Sequence, residues 1–150
     1  MRARFAAAPV ALLLCGGLPA MAAEMQPLET WSATPEAARK PTYAPVRCAG
    51  LYLGLVAYGG KSLSKETIDG IIRSSTVLTV SAMKMRAGKD GDPKDHATAV
   101  LQEAEGEGKQ YAARMQKNFE TSGQAFRNDS LIVGDLKFCR ELTGRLAAAP

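Results

Sequence analysis

The first 22 residues have the organisation of an export signal, and their removal leaves only two of the three cysteines, Cys48 and Cys139. Arg2 and Arg4 provide a positive start, a short apolar stretch follows, and small residues precede the expected cut after Ala22. Export places a chain in an oxidising compartment, where two lone cysteines favour one disulfide. We therefore expect a periplasmic protein that is closed by a single Cys48–Cys139 bond.

Two alternatives concern the signal. Cleavage after Ala23 would put Met21 at a position that prefers a small residue, so the cut after Ala22 is favoured. A lipid anchor on Cys15 is disfavoured because Leu14 occupies the position where a lipoprotein signal needs a small residue. The apolar stretch is also too short for a permanent membrane span, which needs about 20 apolar residues.

Length and charge narrow the classes of protein further. Removal of the signal leaves 128 of the 150 residues, which is one domain by length and enough for a hydrophobic core. The signal holds two arginines and no acidic residue, so the formal charge of +4 falls to +2. A nearly neutral chain does not indicate a nucleic-acid partner. No second apolar stretch reaches membrane length, so we expect no membrane association after cleavage.

Residues 23–45 differ in composition from the rest of the chain. Four prolines recur among small and polar residues, at positions 27, 35, 41 and 45. This density opposes a sustained helix, so the segment, called the leader below, is predicted to be extended. Trp31 and Tyr43 are its large aromatic residues, and we expect them to dock the leader onto the body.

Residues 46–150 predict an all-α domain, a bundle of three to four helices. Apolar residues recur at helical spacing over residues 46–58, from Ser64 to Ala87, from Asp92 to Ser122, and from Asn128 or Asp129 onward. Glycines follow the first three of these segments and indicate where they end. For residues 46–58 a buried strand is the alternative, which two internal glycines weaken.

Motifs for catalysis or cofactor binding are not matched. His96 is the single histidine, which excludes a site built from several histidine ligands and removes the usual base for a serine or cysteine nucleophile. No Cys-x-x-Cys pair is present, as a redox centre or c-type haem would require. We therefore expect no catalytic residue, no metal and no cofactor, and predict that the protein is not an enzyme.

Two surfaces are candidates for partner binding. Gly50 and Gly54 are four residues apart, so a neighbouring backbone can approach them closely along a groove. Glu103 and Glu107 fall on one face of a predicted helix, where they form a solvated acidic face that could bind a basic partner.

Two short motifs resemble a known class of proteins. Val46-Arg-Cys-Ala-Gly-Leu-Tyr-Leu near the start of the body and Asp135-Leu-Lys-Phe-Cys-Arg near its end are similar to stretches in small uncharacterised exported helical proteins of proteobacteria. Those proteins carry one cysteine in the first helix and one in the last. The resemblance covers residues 46–142 and implies the periplasm and the disulfide, without an activity.

The functional expectation is a non-catalytic periplasmic binding or accessory protein whose partner is an unknown protein or small ligand of the cell envelope. The alternative is a stress-protective or immunity-type protein that sequesters a protein client or a toxin. An exposed contiguous apolar patch would favour the second, and a polar surface with a cleft would favour a small ligand.

Overall fold

The computed structural model describes residues 25–149, so the predicted signal and its cleavage site lie outside the described residues. Within that range the chain is all-α and contains no strand, which confirms the predicted fold class. The helices are α1 (Leu28–Ser32), α2 (Pro35–Arg39), α3 (Tyr43–Gly59), α4 (Lys65–Ala87), α5 (Ala97–Ser122) and α6 (Ser130–Ala148). Two 3-10 turns, Gly60–Ser62 and Pro93–His96, precede α4 and α5.

The ends of the long helices follow the predicted signals. Gly60, Gly88 and Gly123 come directly after α3, α4 and α5 with φ of 47°, 67° and 68°, which is backbone geometry that favours glycine. The Ser64 hydroxyl accepts from the Thr67 N–H at the start of α4. One start differs, because the Pro93–His96 turn places the first residue of α5 four positions after Pro93.

The prediction of an extended leader is wrong, since the leader forms the two short helices α1 and α2. Its prolines occupy positions that helices tolerate. Pro27 precedes α1, Pro35 is the first residue of α2, and Pro45 lies in the first turn of α3, where a missing N–H breaks no helical bond. Consequently α3 begins at Tyr43, three residues before the predicted start.

Helix α3 lies at the centre of the bundle. It packs against α4, α5 and α6, while α1 packs against α6. Residues 46–58, for which a strand was the alternative, lie within α3. The core consists of buried side chains from the leader and all four long helices, among them Leu28, Leu51, Leu78, Val100, Tyr111, Met115 and Ile132.

The predicted disulfide joins the central helix to the last one. Cys48 in α3 and Cys139 in α6 are bonded, with their Cα atoms 5.2 Å apart and both residues fully buried. The bond links positions 91 residues apart. Closing a loop of this length stabilises the fold by about 4–5 kcal/mol in the chain-entropy view.

Candidate functional site

A buried ion pair lies next to the disulfide. Arg47, the residue before Cys48, donates from Nη2 to Oδ2 of Asp135 over 2.6 Å, and the two side chains are 1% and 0% exposed. Asp135 precedes Cys139 by one turn of α6, so the covalent and the ionic link join the same two helices side by side. An unpaired charge at this depth would be strongly unfavourable, which makes each partner dependent on the other.

Tyr111 of α5 completes this cluster. Its hydroxyl donates to Asp135 Oδ2 over 2.5 Å and accepts from Arg47 Nε over 2.8 Å. Burial and the neighbouring Asp135 carboxylate raise the pKa of Tyr111 well above its ordinary value. Burial opposes the charge on Arg47, yet Tyr111 and Asp135 hold its pKa above the ordinary value. Arg47 is therefore charged and Tyr111 is neutral at any physiological pH.

The same cluster fastens the leader to the bundle. Asp135 Oδ1 accepts from the Leu28 N–H over 2.7 Å, and Arg47 Nη1 donates to the Gln26 carbonyl over 2.6 Å. Arg47 Nη1 also donates to the Tyr43 hydroxyl over 3.2 Å. The Leu28 side chain is fully buried, so the leader inserts an apolar anchor beside these polar ones.

The aromatic residues of the leader pack as a pair. The ring centroids of Trp31 and Tyr43 are 4.4 Å apart, and both residues pack against the core. This contact joins α1 to the start of α3, on either side of α2. In the described part of the chain, every buried side-chain polar atom has a hydrogen-bond partner, so the cluster is saturated.

Gly50 and Gly54 lie inside the fold, at the crossing of α3 and α5. A Cβ on Gly50 would come within 2.4 Å of Glu107 Cβ, and one on Gly54 within 2.8 Å of the Gly108 carbonyl oxygen. The predicted close approach of a backbone is therefore made by α5 of the same chain. Because α5 fills the groove, neither glycine lies on an open surface.

Glu103 and Glu107 do not form one solvated face. Glu103 is half exposed and accepts two hydrogen bonds from the Arg86 guanidinium, at 3.0 and 2.5 Å. Glu107 is partly buried against Gly50, and this burial raises the pKa of its carboxyl group. The two glutamates thus have different environments, one at a surface cleft and one at a helix crossing.

The cleft beside Glu103 lies between the leader and the helices α4 and α5. It has a volume of about 380 Å³ and is open to solvent. We call it the leader cleft. Its lining comprises Arg39, Lys40, Pro41, Thr42, Tyr43, Met85, Arg86 and Glu103. Three of these residues are cationic and one is acidic, while Pro41, Tyr43 and Met85 supply apolar surface.

His96 ends the 3-10 turn before α5 and makes no side-chain cap there. Between residues 25 and 149, no group of three or more histidine, cysteine, aspartate or glutamate side chains is placed to hold a metal ion. Within the same range, none of the helices combines the length and the apolar character of a membrane span.

Sequence reasoning missed the buried cluster and the leader cleft. Asp135 carried a usable signal, because it falls on the apolar stripe of α6 together with Leu131 and Cys139 at four-residue spacing. A carboxylate on such a stripe indicates a buried partner. No comparable signal marks the cleft, because its residues come from three separate segments.

Comparisons of the chain with protein families, with curated proteins and with solved structures find no match.

Proposed function

We propose that the chain is a non-catalytic binding or accessory protein of the cell envelope, and that the leader cleft is its binding site. The observation that carries this proposal is the way the cleft is built. Tyr43 lines it and is held by Arg47, so one wall of an open recess is fixed by a saturated buried cluster. A preformed recess with apolar and charged lining is typical of a ligand site. Its side chains are already ordered in the folded protein, so less conformational entropy is lost when a ligand binds.

The chemistry of the ionisable groups supports binding over catalysis. Tyr111 and Arg47 have strongly raised pKa values, which elsewhere often mark active sites. Here both are buried and bonded to Asp135, where a substrate would have to displace the leader to reach them. Their role is to hold the fold and the leader in place.

The periplasmic location remains part of the proposal. It is supported by the signal-like first 22 residues and by the Cys48–Cys139 bond, which an oxidising compartment favours. Intact mass of protein recovered from its native envelope tests it, and we expect an N-terminus at Ala23 and two fewer hydrogens than the dithiol. A retained signal or two free thiols would contradict the assignment.

The alternative function, sequestration of a protein client or toxin, has one observation in its favour. Several large apolar side chains are exposed, including Ile72, Leu101, Phe119 and Val133. These residues belong to three different helices, α4, α5 and α6, and individual exposed apolar residues are normal on protein surfaces. The cleft proposal is therefore favoured over this alternative.

Nuclear magnetic resonance separates the two functions. The isotope-labelled protein is titrated with the small-molecule fraction and, separately, with the protein fraction of the native envelope. The cleft proposal expects the small-molecule fraction to shift the backbone amides of Thr42 and Met85. Shifts confined to the surroundings of Phe119 and Val133, produced by the protein fraction alone, would contradict it and support client binding.

A further inference from the structure

We propose that the leader cleft binds an organic anion, a carboxylate or phosphate group attached to an apolar body. This inference rests on the proposed function and names the ligand class of the same site. Arg39 and Lys40 are exposed at one side of the cleft, and Arg86 lies at the other. Cations that converge on a recess from separate segments create a positive potential there, which favours an anionic ligand.

The cations of the cleft can still donate hydrogen bonds to such a ligand, although two of them already form ion pairs. Lys40 contacts Glu36 over 2.6 Å, but both side chains are about half exposed or more, so this pair contributes little and can be exchanged. Arg86 binds Glu103 through Nη1 and Nη2, which leaves its Nε–H outside that interaction. A guanidinium and an ammonium together can hold one carboxylate by charge-assisted hydrogen bonds.

The N-terminus of α3 adds to the positive potential that the cations create in the leader cleft. Thr42 and Tyr43 line the cleft, and the first turn of α3 has neither a side-chain cap nor an acidic residue. The first turn of α3 thus supplies no acidic residue against the positive end of its own helix dipole, and Glu103 is the one carboxylate among the described residues that line the cleft. The cations are the main source of the positive potential in the cleft, and the helix dipole adds to it.

The apolar lining determines the rest of the ligand. Met85 is 42% exposed, and Pro41 and Tyr43 lie on the other wall. A small inorganic anion would leave this surface in water, whereas an aromatic or aliphatic body would cover it. The expected order of affinity is therefore benzoate above inorganic phosphate, with the neutral isostere benzamide weakest.

The decisive experiment titrates the full mature protein with benzoate, benzamide and phosphate, following the backbone amides of Thr42 and Met85. The double variant Arg39→Gln/Lys40→Gln should weaken benzoate binding by about tenfold or more, as expected for lost charge-assisted bonds. The matched control Lys61→Gln/Lys117→Gln removes the same charge just after α3 and late in α5, about 20–27 Å along the helix axes from the cleft. It should change the affinity less than twofold.

A second pair of variants tests whether removing a negative charge from the cleft strengthens the binding of benzoate. Glu103→Gln should strengthen benzoate binding, because it removes the carboxylate that competes for Arg86. Glu105→Gln is the control on the same helix, since its partner Lys109 lies outside the cleft lining. Weaker binding in the Glu103→Gln variant would overturn the anion assignment.

The possible results distinguish a wrong ligand class from a wrong binding site. Equal binding of benzoate and benzamide at the cleft would overturn the anion proposal and leave the binding site in place. Shifts elsewhere, or none with any probe, would contradict both. The source is assigned by comparing benzoate with a doubly blocked Phe-Glu dipeptide, in which the side-chain carboxylate is the one acid. Tighter binding of the dipeptide indicates an acidic protein segment, and tighter binding of benzoate indicates a free metabolite.

Discussion

Replacement of Asp135 by asparagine tests the central energetic inference, that the buried cluster holds both the bundle and the leader. The substitution keeps the shape of the side chain and an oxygen that can accept from the Leu28 N–H. It removes the negative charge and leaves the Arg47 guanidinium, which is 1% exposed, without its counterion. Breaking a buried pair from one side costs about 3–5 kcal/mol. That is a large fraction of the total for a domain, which is about 5–15 kcal/mol.

The matched control is Asp69→Asn. Asp69 pairs with Lys65 over the same 2.6 Å, but these side chains are 43% and 81% exposed. An exposed pair of this kind contributes at most about 1 kcal/mol. The two variants thus make the same chemical change at the same ion-pair distance. The sites differ in burial and in the bonds that Asp135 accepts from Tyr111 and Leu28, so the excess loss at Asp135 measures the stabilisation by the buried cluster.

Urea unfolding followed by circular dichroism at pH 7 gives the free energy of unfolding of each variant. We expect the Asp135→Asn value to fall by at least about 2 kcal/mol more than the Asp69→Asn value. Limited trypsin digestion provides a second measurement, because a loosened leader makes the Arg39–Lys40 bond cleavable, whereas Pro41 protects the bond after Lys40 in every variant. Equal losses of stability in the two variants, with unchanged cleavage of the leader, would refute the reasoning.

Three further predictions concern packing, pH and the disulfide. Gly50→Ala should destabilise the protein by about 1–3 kcal/mol by thermal or urea unfolding, because its Cβ would overlap Glu107. Gly106→Ala, on the same pair of helices but with no atom within 4 Å of the new Cβ, should stabilise it by up to about 1 kcal/mol. If both variants lose stability equally, the crossing is not the cause. Burial raises the pKa of the Glu107 carboxyl in the folded state, with Asp135 and Glu103 adding to this shift and Arg47 opposing it. The folded state therefore binds this proton more tightly than the unfolded state does. The wild-type chain consequently loses stability as pH rises above 4.5, the ordinary pKa of the group. Glu107→Gln should remove that loss and be more stable than wild type at pH 7 but not at pH 3, and the reverse order in urea titrations would contradict the prediction. Reduction of Cys48–Cys139 should lower the midpoint of thermal unfolding and retain the helical signal in circular dichroism, whereas a midpoint that does not move would show that the bond does not constrain the unfolded chain.

Most of the helical architecture could be predicted from local signals. Ser64, Gly88 and Gly123 mark helix ends by properties of single residues, a side-chain acceptor or freedom at positive φ. The Cys48–Cys139 bond was predictable because only two of the three cysteines follow the predicted signal, and two cysteines allow one pairing. The leader was mispredicted because proline density was judged without regard to helix position, and a proline in a first turn costs little.

The sites depended on contacts that a single sequence does not report. Arg47 and Asp135 are 88 residues apart, and only the packing of α3 on α6 brings their charges to 2.6 Å. The leader cleft likewise exists because Arg47 of α3 and Asp135 of α6 anchor the leader, which brings Arg39 to the recess that Arg86 also lines. Helix caps and periodicity act over a few residues and can be read along the chain. Burial of charge and the shape of a cleft arise from long-range packing, so the tertiary structure alone decided them.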